Sequence, residues 1–163
     1  MPVTFTDTEI AALLAEEKPL PADWRRRLRL RQKRGHREAE LTFLGAIGTR
    51  FVVILRQADQ NPLDFSAILA VDPPAGGRRF RLRRYNGKSH EHSNPFGGAG
   101  FYDFHVHRAT EHCQAEAGLR EDAVAEPDRR YSNLDDALRC LMGDCAFLGA
   151  DDAQDSGQTK LFG

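Results

Sequence analysis

The amino-acid sequence predicts an α+β domain with a mainly antiparallel sheet of five to seven strands, an N-terminal helix and a C-terminal helix on one face. Three observations lead there. Short strand-like runs between Leu28 and Val106 follow one another across turns rich in Gly, Pro, Asn and Asp. A Thr6-x-x-Glu9 capping box opens the chain's first apolar helical stripe. Near the end, Leu134, Ala137, Leu138, Leu141, Met142 and Cys145 recur at helical spacing.

Ile10, Leu13 and Leu14 form the stripe of the first helix, which Lys18 and the Pro19/Pro21 pair should stop. From Trp24 to Gln32, Leu28 and Leu30 alternate with Arg27, Arg29 and Arg31, which predicts a strand. A turn near Gly35 then joins it to a second strand through Ala39, Leu41 and Phe43. Arg50 to Gln57 is the most continuous β-branched and aromatic run and predicts a central strand covered on both faces. After the turn at Asp59 to Pro62, Phe65 to Val71 supplies another strand, and Asp72 to Gly77 another turn. Ala109 to Gly118 reads as a short helix and the polar stretch to Arg130 as loop. Ser132 or Asn133 caps the last helix, which Gly149 should end. With 163 residues and 40% hydrophobic content, residues 1–149 are expected to form one domain and the polar residues 150–163 a disordered tail.

No apolar run approaches 18 residues and no basic-then-apolar leader is visible, so neither membrane spanning nor export is expected, and the expected location is the cytoplasm. Cys113, Cys140 and Cys145 are odd in number and lack a C-x-x-C spacing, which favours reduced thiols. The net charge of −1 conceals a polarity. Eight basic residues fall between Arg25 and Arg37, and six between Arg78 and Lys88, while Glu111 to Asp155 carries 12 acids against 4 arginines. Arginine's planar fork suits bidentate contacts to phosphate, so a phosphate-bearing partner such as RNA is one expectation. A solvated face paired with the acidic half is the other.

Arg78 to His112 holds five of the six histidines. Around His105 and His107 the residues alternate, so Tyr102, Phe104 and Val106 should turn inward while Asp103, His105 and His107 share the opposite face. Residues two apart on a strand are about 6.5 to 7 Å apart along it, close enough for two imidazoles to address one small group. Pairing with the Phe80 to Asn86 segment is expected to bring Arg81, Arg83 and Tyr85 to the same face, with His90, Glu91 and His92 on the connecting loop.

Three chemistries fit these residues. In metal-independent RNA cleavage, His105 and His107 act as general base and general acid, His90 or His92 assists, and Tyr85 stacks on a base or donates a proton. Arg81, Arg83 and Arg108 then hold the phosphate. Alternatively His105-x-His107 with Glu111 and His112 binds one divalent transition metal. The spacing His105-x-His107-x₃-Glu111-x₆-Gly118 is similar to the first cupin motif, but Ala99 stands where that motif has its leading glycine. No histidine follows His112 to serve the second motif. The third reading is structural, with histidines bonded to backbone groups and the arginine-rich faces serving a non-catalytic binding module.

The segments RYNGKSHEHSN, FYDFHVHRATE and YSNLDDALRCL together resemble a bacterial family of uncharacterised proteins and, more distantly, the TumE-type toxins of toxin–antitoxin pairs. The shared order is a strand ending in R-Y-[DN], a histidine-containing loop, an H-x-H strand and a Leu-rich final helix. The resemblance implies a small cytoplasmic bacterial protein of a mobile or defence-associated locus with an antitoxin partner. TumE-type proteins have a shorter N-terminal region, so Met1 to Gly48 falls outside it. The favoured sequence reading is therefore a toxin-like, metal-independent ribonuclease, with the metal-binding and binding-module readings as alternatives.

Overall fold

The computed structural model describes residues 3–150; residues 151–163, most of the expected tail, lie outside them. Nine strands and four helices occur among these residues. The first helix, α1 (Asp7–Ala15), begins at the Thr6 capping box, with Thr6 and Glu9 each bonding the other's backbone N–H. Its neighbour β1 (Lys18–Pro19) pairs in parallel with β9 (Phe147–Leu148). The expected Trp24–Gln32 strand is instead one helical turn, α2 (Trp24–Arg27), followed by the two-residue β2 (Arg31–Gln32). The reason is spacing. Trp24 and Leu28, four apart, both bury in the core, and Asp23 pairs with Arg26 and Arg27 one turn on, so helical contacts override the period-two pattern.

The main sheet is a seven-stranded antiparallel meander in which each strand pairs with its neighbour in sequence. From β2 it runs through β3 (His36–Leu44), β4 (Arg50–Ala58), β5 (Phe65–Val71), β6 (Phe80–Asn86) and β7 (His105–Arg108) to β8 (Val124–Pro127). As the sequence predicts for β4, this strand lies inside the sheet and is covered on both faces; β5 beside it is interior too, and its buried residues also face both ways. Phe51, Val53 and Leu55 of β4 join the main core, whereas Val52 packs with Ile68 and Ala70 on the other face. The edge strand β8 falls where a loop was expected. It has only four residues, carries Glu126 and Pro127, and shows no alternation strong enough to read; an edge tolerates a proline that an inner strand would not.

The last helix, α4 (Leu134–Asp144), starts at Asn133, whose side chain accepts from the Asp136 N–H. Leu134, Ala137, Leu138, Leu141 and Met142 face the main core alongside Leu69, Leu82, Tyr85 and Val106. This helix ends at Asp144 rather than at Gly149. Ala146 takes a left-handed φ of 62° and turns the chain into β9. Lys18, fully buried, stitches the two helix ends together: its Nζ donates to the carbonyls of Leu13 and Leu14 in the last turn of α1, of Glu16 just after it and of Cys145 just after α4, at 2.7–3.0 Å.

One irregularity decides what the histidines meet. Between β5 and β6 the register shifts, Leu69 facing Arg83 but Ala70 facing Arg81, so Leu82 is an extra residue in β6. Three residues apart, Arg81 and Arg84 would point to opposite faces of a regular strand. The bulge puts both on the face opposite the main core, and there Arg84 lies directly across from His107.

Candidate metal centre

His105 and His107 sit two apart on β7 and share one face, as the sequence predicts, and both are nearly buried (2% and 4% exposed). Val106 between them enters the main core and Phe104 packs against it, but Tyr102 is exposed, because the strand begins only at His105. His92 arrives from the loop between β6 and β7. Gly97 and Gly98 both adopt left-handed φ values, 111° and 95°, turning the chain so that Phe101 returns opposite His92. The two residues then exchange backbone hydrogen bonds of 2.8 and 2.9 Å. The three imidazoles meet with ring centroids 4.9–5.2 Å apart, and one ring nitrogen from each lies within 4.8 Å of the others.

Hydrogen bonding fixes which nitrogens are available. A carbonyl oxygen only accepts, so His105 donates through Nδ1 to the Asp103 carbonyl at 2.8 Å, and His107 through Nδ1 to the Asp122 carbonyl at 2.7 Å. Each therefore keeps its Nε2 lone pair. The Asn94 carboxamide is oriented by β8, its Oδ1 accepting from the Ala125 N–H and its Nδ2 donating to the Ala125 carbonyl, both at 2.9 Å. Asn94 Oδ1 must then also accept from His92 Nε2 at 2.8 Å, which leaves the His92 Nδ1 lone pair. All three rings are thus tied by one N–H to an oxygen, the arrangement that presents the other nitrogen to a metal. Buried His105 Nε2 has no hydrogen-bond partner among the described residues.

Burial favours the neutral form of the strand histidines. It pulls the His107 pKa down to about 3, with Arg84 adding to the fall, and it lowers His105 as well. A histidine whose pKa is depressed on folding contributes stability that is complete above the unfolded value of 6.5 and is lost as the pH falls towards the folded value. EDTA-treated protein is therefore expected to lose about 2 kcal/mol between pH 6.5 and 5 from His107 alone. Urea titrations at the two pH values check this; equal midpoints would contradict it.

Asp122, also fully buried, joins the site to the arginines. Its carboxylate accepts from Arg81 Nη2 at 2.6 Å and Arg84 Nε at 3.0 Å, while its carbonyl holds His107. Of the three arginines expected to hold phosphate, only Arg81 shares the histidine face. Arg83 and the exposed Arg108 face each other across β6 and β7 and lie on the opposite side, because Arg84 rather than Arg83 is in register with His107. Tyr85, likewise expected beside the histidines, is fully buried in the main core and donates to Asp144 at 2.6 Å. It cannot stack on a base there. Exposed His90 bonds, among the described residues, to its neighbour Ser89.

The expected metal set of His105, His107, Glu111 and His112 is not assembled either. Glu111 begins α3 (Glu111–Ala115) and exchanges hydrogen bonds with Asp7, while His112 stacks on Phe96 at 3.7 Å between ring centroids. The third imidazole of the cluster is that of His92, so the cupin-like spacing does not describe the site. Sequence reasoning also missed Asn94, Asp122 and Arg84. The crowding of histidines on both sides of one loop was the only signal for His92. Comparison of the chain with family models, curated proteins and solved structures gives no match.

Proposed function

We propose that this chain is a metal-binding protein in which His92, His105 and His107 hold one divalent transition-metal ion, with a remaining coordination position for water or an anionic group. The supporting observation is the set of three convergent imidazoles, each anchored to an oxygen through one ring nitrogen, with His105 Nε2 buried and without a hydrogen-bond partner among the described residues. Imidazole suits zinc, copper, iron and nickel. Nitrogens bound to tetrahedral zinc at 2.0–2.1 Å lie about 3.4 Å apart, so the widest pair must close, and His92, carried on a loop, provides the movement. Acid–base cleavage of RNA needs one imidazole protonated near neutral pH; burial disfavours that form at both strand histidines, so metal ligation suits them better.

The test is calorimetric titration of EDTA-treated protein with zinc, cobalt(II) and nickel. One equivalent binding at micromolar Kd or tighter is the expected result, and no saturable binding of any of them overturns the reading. Asn94→Ala should weaken binding about 10-fold by freeing the His92 ring, within the range set by lost outer-shell partners. An unchanged Kd would remove Asn94 from the site.

A second reading rests on a different surface. Arg27, Arg29, Arg31 and Lys33 line a groove of about 240 Å³ with Glu38, Ala39 and Glu40. Both lining acids are engaged elsewhere, Glu38 with Arg56 and Glu40 with Arg79, which favours a polyanion such as RNA in the groove. The double variant Arg29→Gln/Arg31→Gln should weaken binding of a labelled single-stranded RNA and lower its salt slope by about 1.5. Fluorescence anisotropy at several salt concentrations measures both, and an unchanged slope counts against the groove. The resemblance to TumE-type toxins adds a cytoplasmic location and a protein antitoxin to this reading. Growth arrest on expression, relieved by a neighbouring gene, is its test.

A further inference from the structure

The metal reading, on which this inference rests, leaves a charge to be balanced. Three neutral imidazoles bring none. Asp122 provides a single carboxylate, already shared by Arg81 and Arg84, so a bound divalent ion would add to two guanidiniums facing one acid. A largely buried site with that surplus favours an anion over water at the remaining position.

Arg84 is placed to receive it. Its cross-strand partner is His107, and directly opposed residues on one sheet face have Cβ atoms about 5 Å apart. Asp122 accepts from the guanidinium through Nε, the one side-chain bond Arg84 makes among the described residues, and the same residue's carbonyl holds the His107 ring. One residue therefore fixes the ligand nitrogen and the guanidinium relative to each other, leaving the terminal nitrogens of Arg84 to donate as a fork. His105 and His107 are almost closed to solvent, whereas the Arg84 side chain is 20% exposed and His92 half-buried. A phosphate monoester carries close to two negative charges, a phosphodiester inside a chain only one, so the surplus favours the monoester.

We propose that the metal's remaining position takes a terminal phosphoryl oxygen of a phosphate monoester, with Arg84 donating to a second oxygen of the same group. A dianionic phosphoryl group offsets more of the surplus charge than a monoanionic carboxylate, which sets the expected preference.

Cobalt(II)-loaded protein tests this, because its visible bands report changes at the metal. Inorganic phosphate should shift the spectrum saturably, and acetate should need at least 10-fold higher concentration. Arg84→Met should keep stoichiometric cobalt and weaken phosphate binding 10-fold or more; retained cobalt serves as the control for folding, and Arg84→Lys should recover part of the loss. A spectrum indifferent to phosphate overturns the inference while leaving the metal reading intact. Phosphate binding undiminished in Arg84→Met, or acetate binding as tightly as phosphate, also overturns it. Failure to bind cobalt at all ends both.

Discussion

His107→Ala is expected to weaken metal binding by at least about 100-fold, whereas His90→Ala and His112→Ala leave it unchanged. Loss of outer-shell partners alone costs 10–100-fold in comparable sites, so loss of a ligand should cost more. His107 combines both roles, since its Nδ1 is fixed by the Asp122 carbonyl and its ring packs within 5.0 Å of the other two, centroid to centroid. Removing it also leaves the Asp122 carbonyl without that donor. His105→Ala should match it, being equally buried and anchored to Asp103. His92→Ala should lose somewhat less, because the two strand imidazoles stay in place. The controls give the test its edge: His90 is exposed on the same loop, and His112 belongs to the cupin-like spacing, yet neither reaches the cluster. Calorimetry on the five variants settles the ligand set. Loss of binding in His112→Ala, or full binding in His107→Ala, would reject it.

Lys18→Met should destabilise the fold by about 3–5 kcal/mol and lower Tm by roughly 10 °C. Methionine fills similar volume but donates nothing, so the four carbonyls that Lys18 serves at the ends of α1 and α4 lose their donor inside the protein. The ring of Phe51, 4.7 Å below Nζ, loses a cation as well. Opposing this is the cost of burying the ammonium, visible in a Lys18 pKa drawn down to about 8 by desolvation. Four short bonds at 2.7–3.0 Å outweigh it. Urea unfolding of the two proteins decides the balance; a loss below about 1 kcal/mol would mean that desolvation cancels the bonds.

Much of the fold was legible because it depends on local pattern. The Thr6/Glu9 box, the β-branched run of β4 and the apolar stripe of α4 each carry their own period or cap, and each forms where that signal lies. The alternation around His105 and His107 was legible for the same reason. What failed was relational. Placing Arg83 and Tyr85 beside the histidines required the β6–β7 register, which no local pattern encodes, and an error of one residue exchanges the faces. The bulge at Leu82 compounds this by putting Arg81 and Arg84 on one side, a spacing that strand periodicity forbids. His92 depends on a glycine-turned loop folding back over the sheet, and α2 on Trp24 and Leu28 preferring the core to an alternating strand.

The bonds that orient His92 also close a boundary. Asn94 occupies both the N–H and the carbonyl of Ala125, the backbone groups that an incoming strand would need to extend the sheet beyond β8. Pro127, two residues on, has no N–H to offer. The side-chain amide thus imitates one residue of an eighth strand and keeps that flank from templating self-association or strand addition by another chain. A substitution at Asn94 would loosen the imidazole and unmask the edge at once, linking the condition of the histidine cluster to the solubility of the protein.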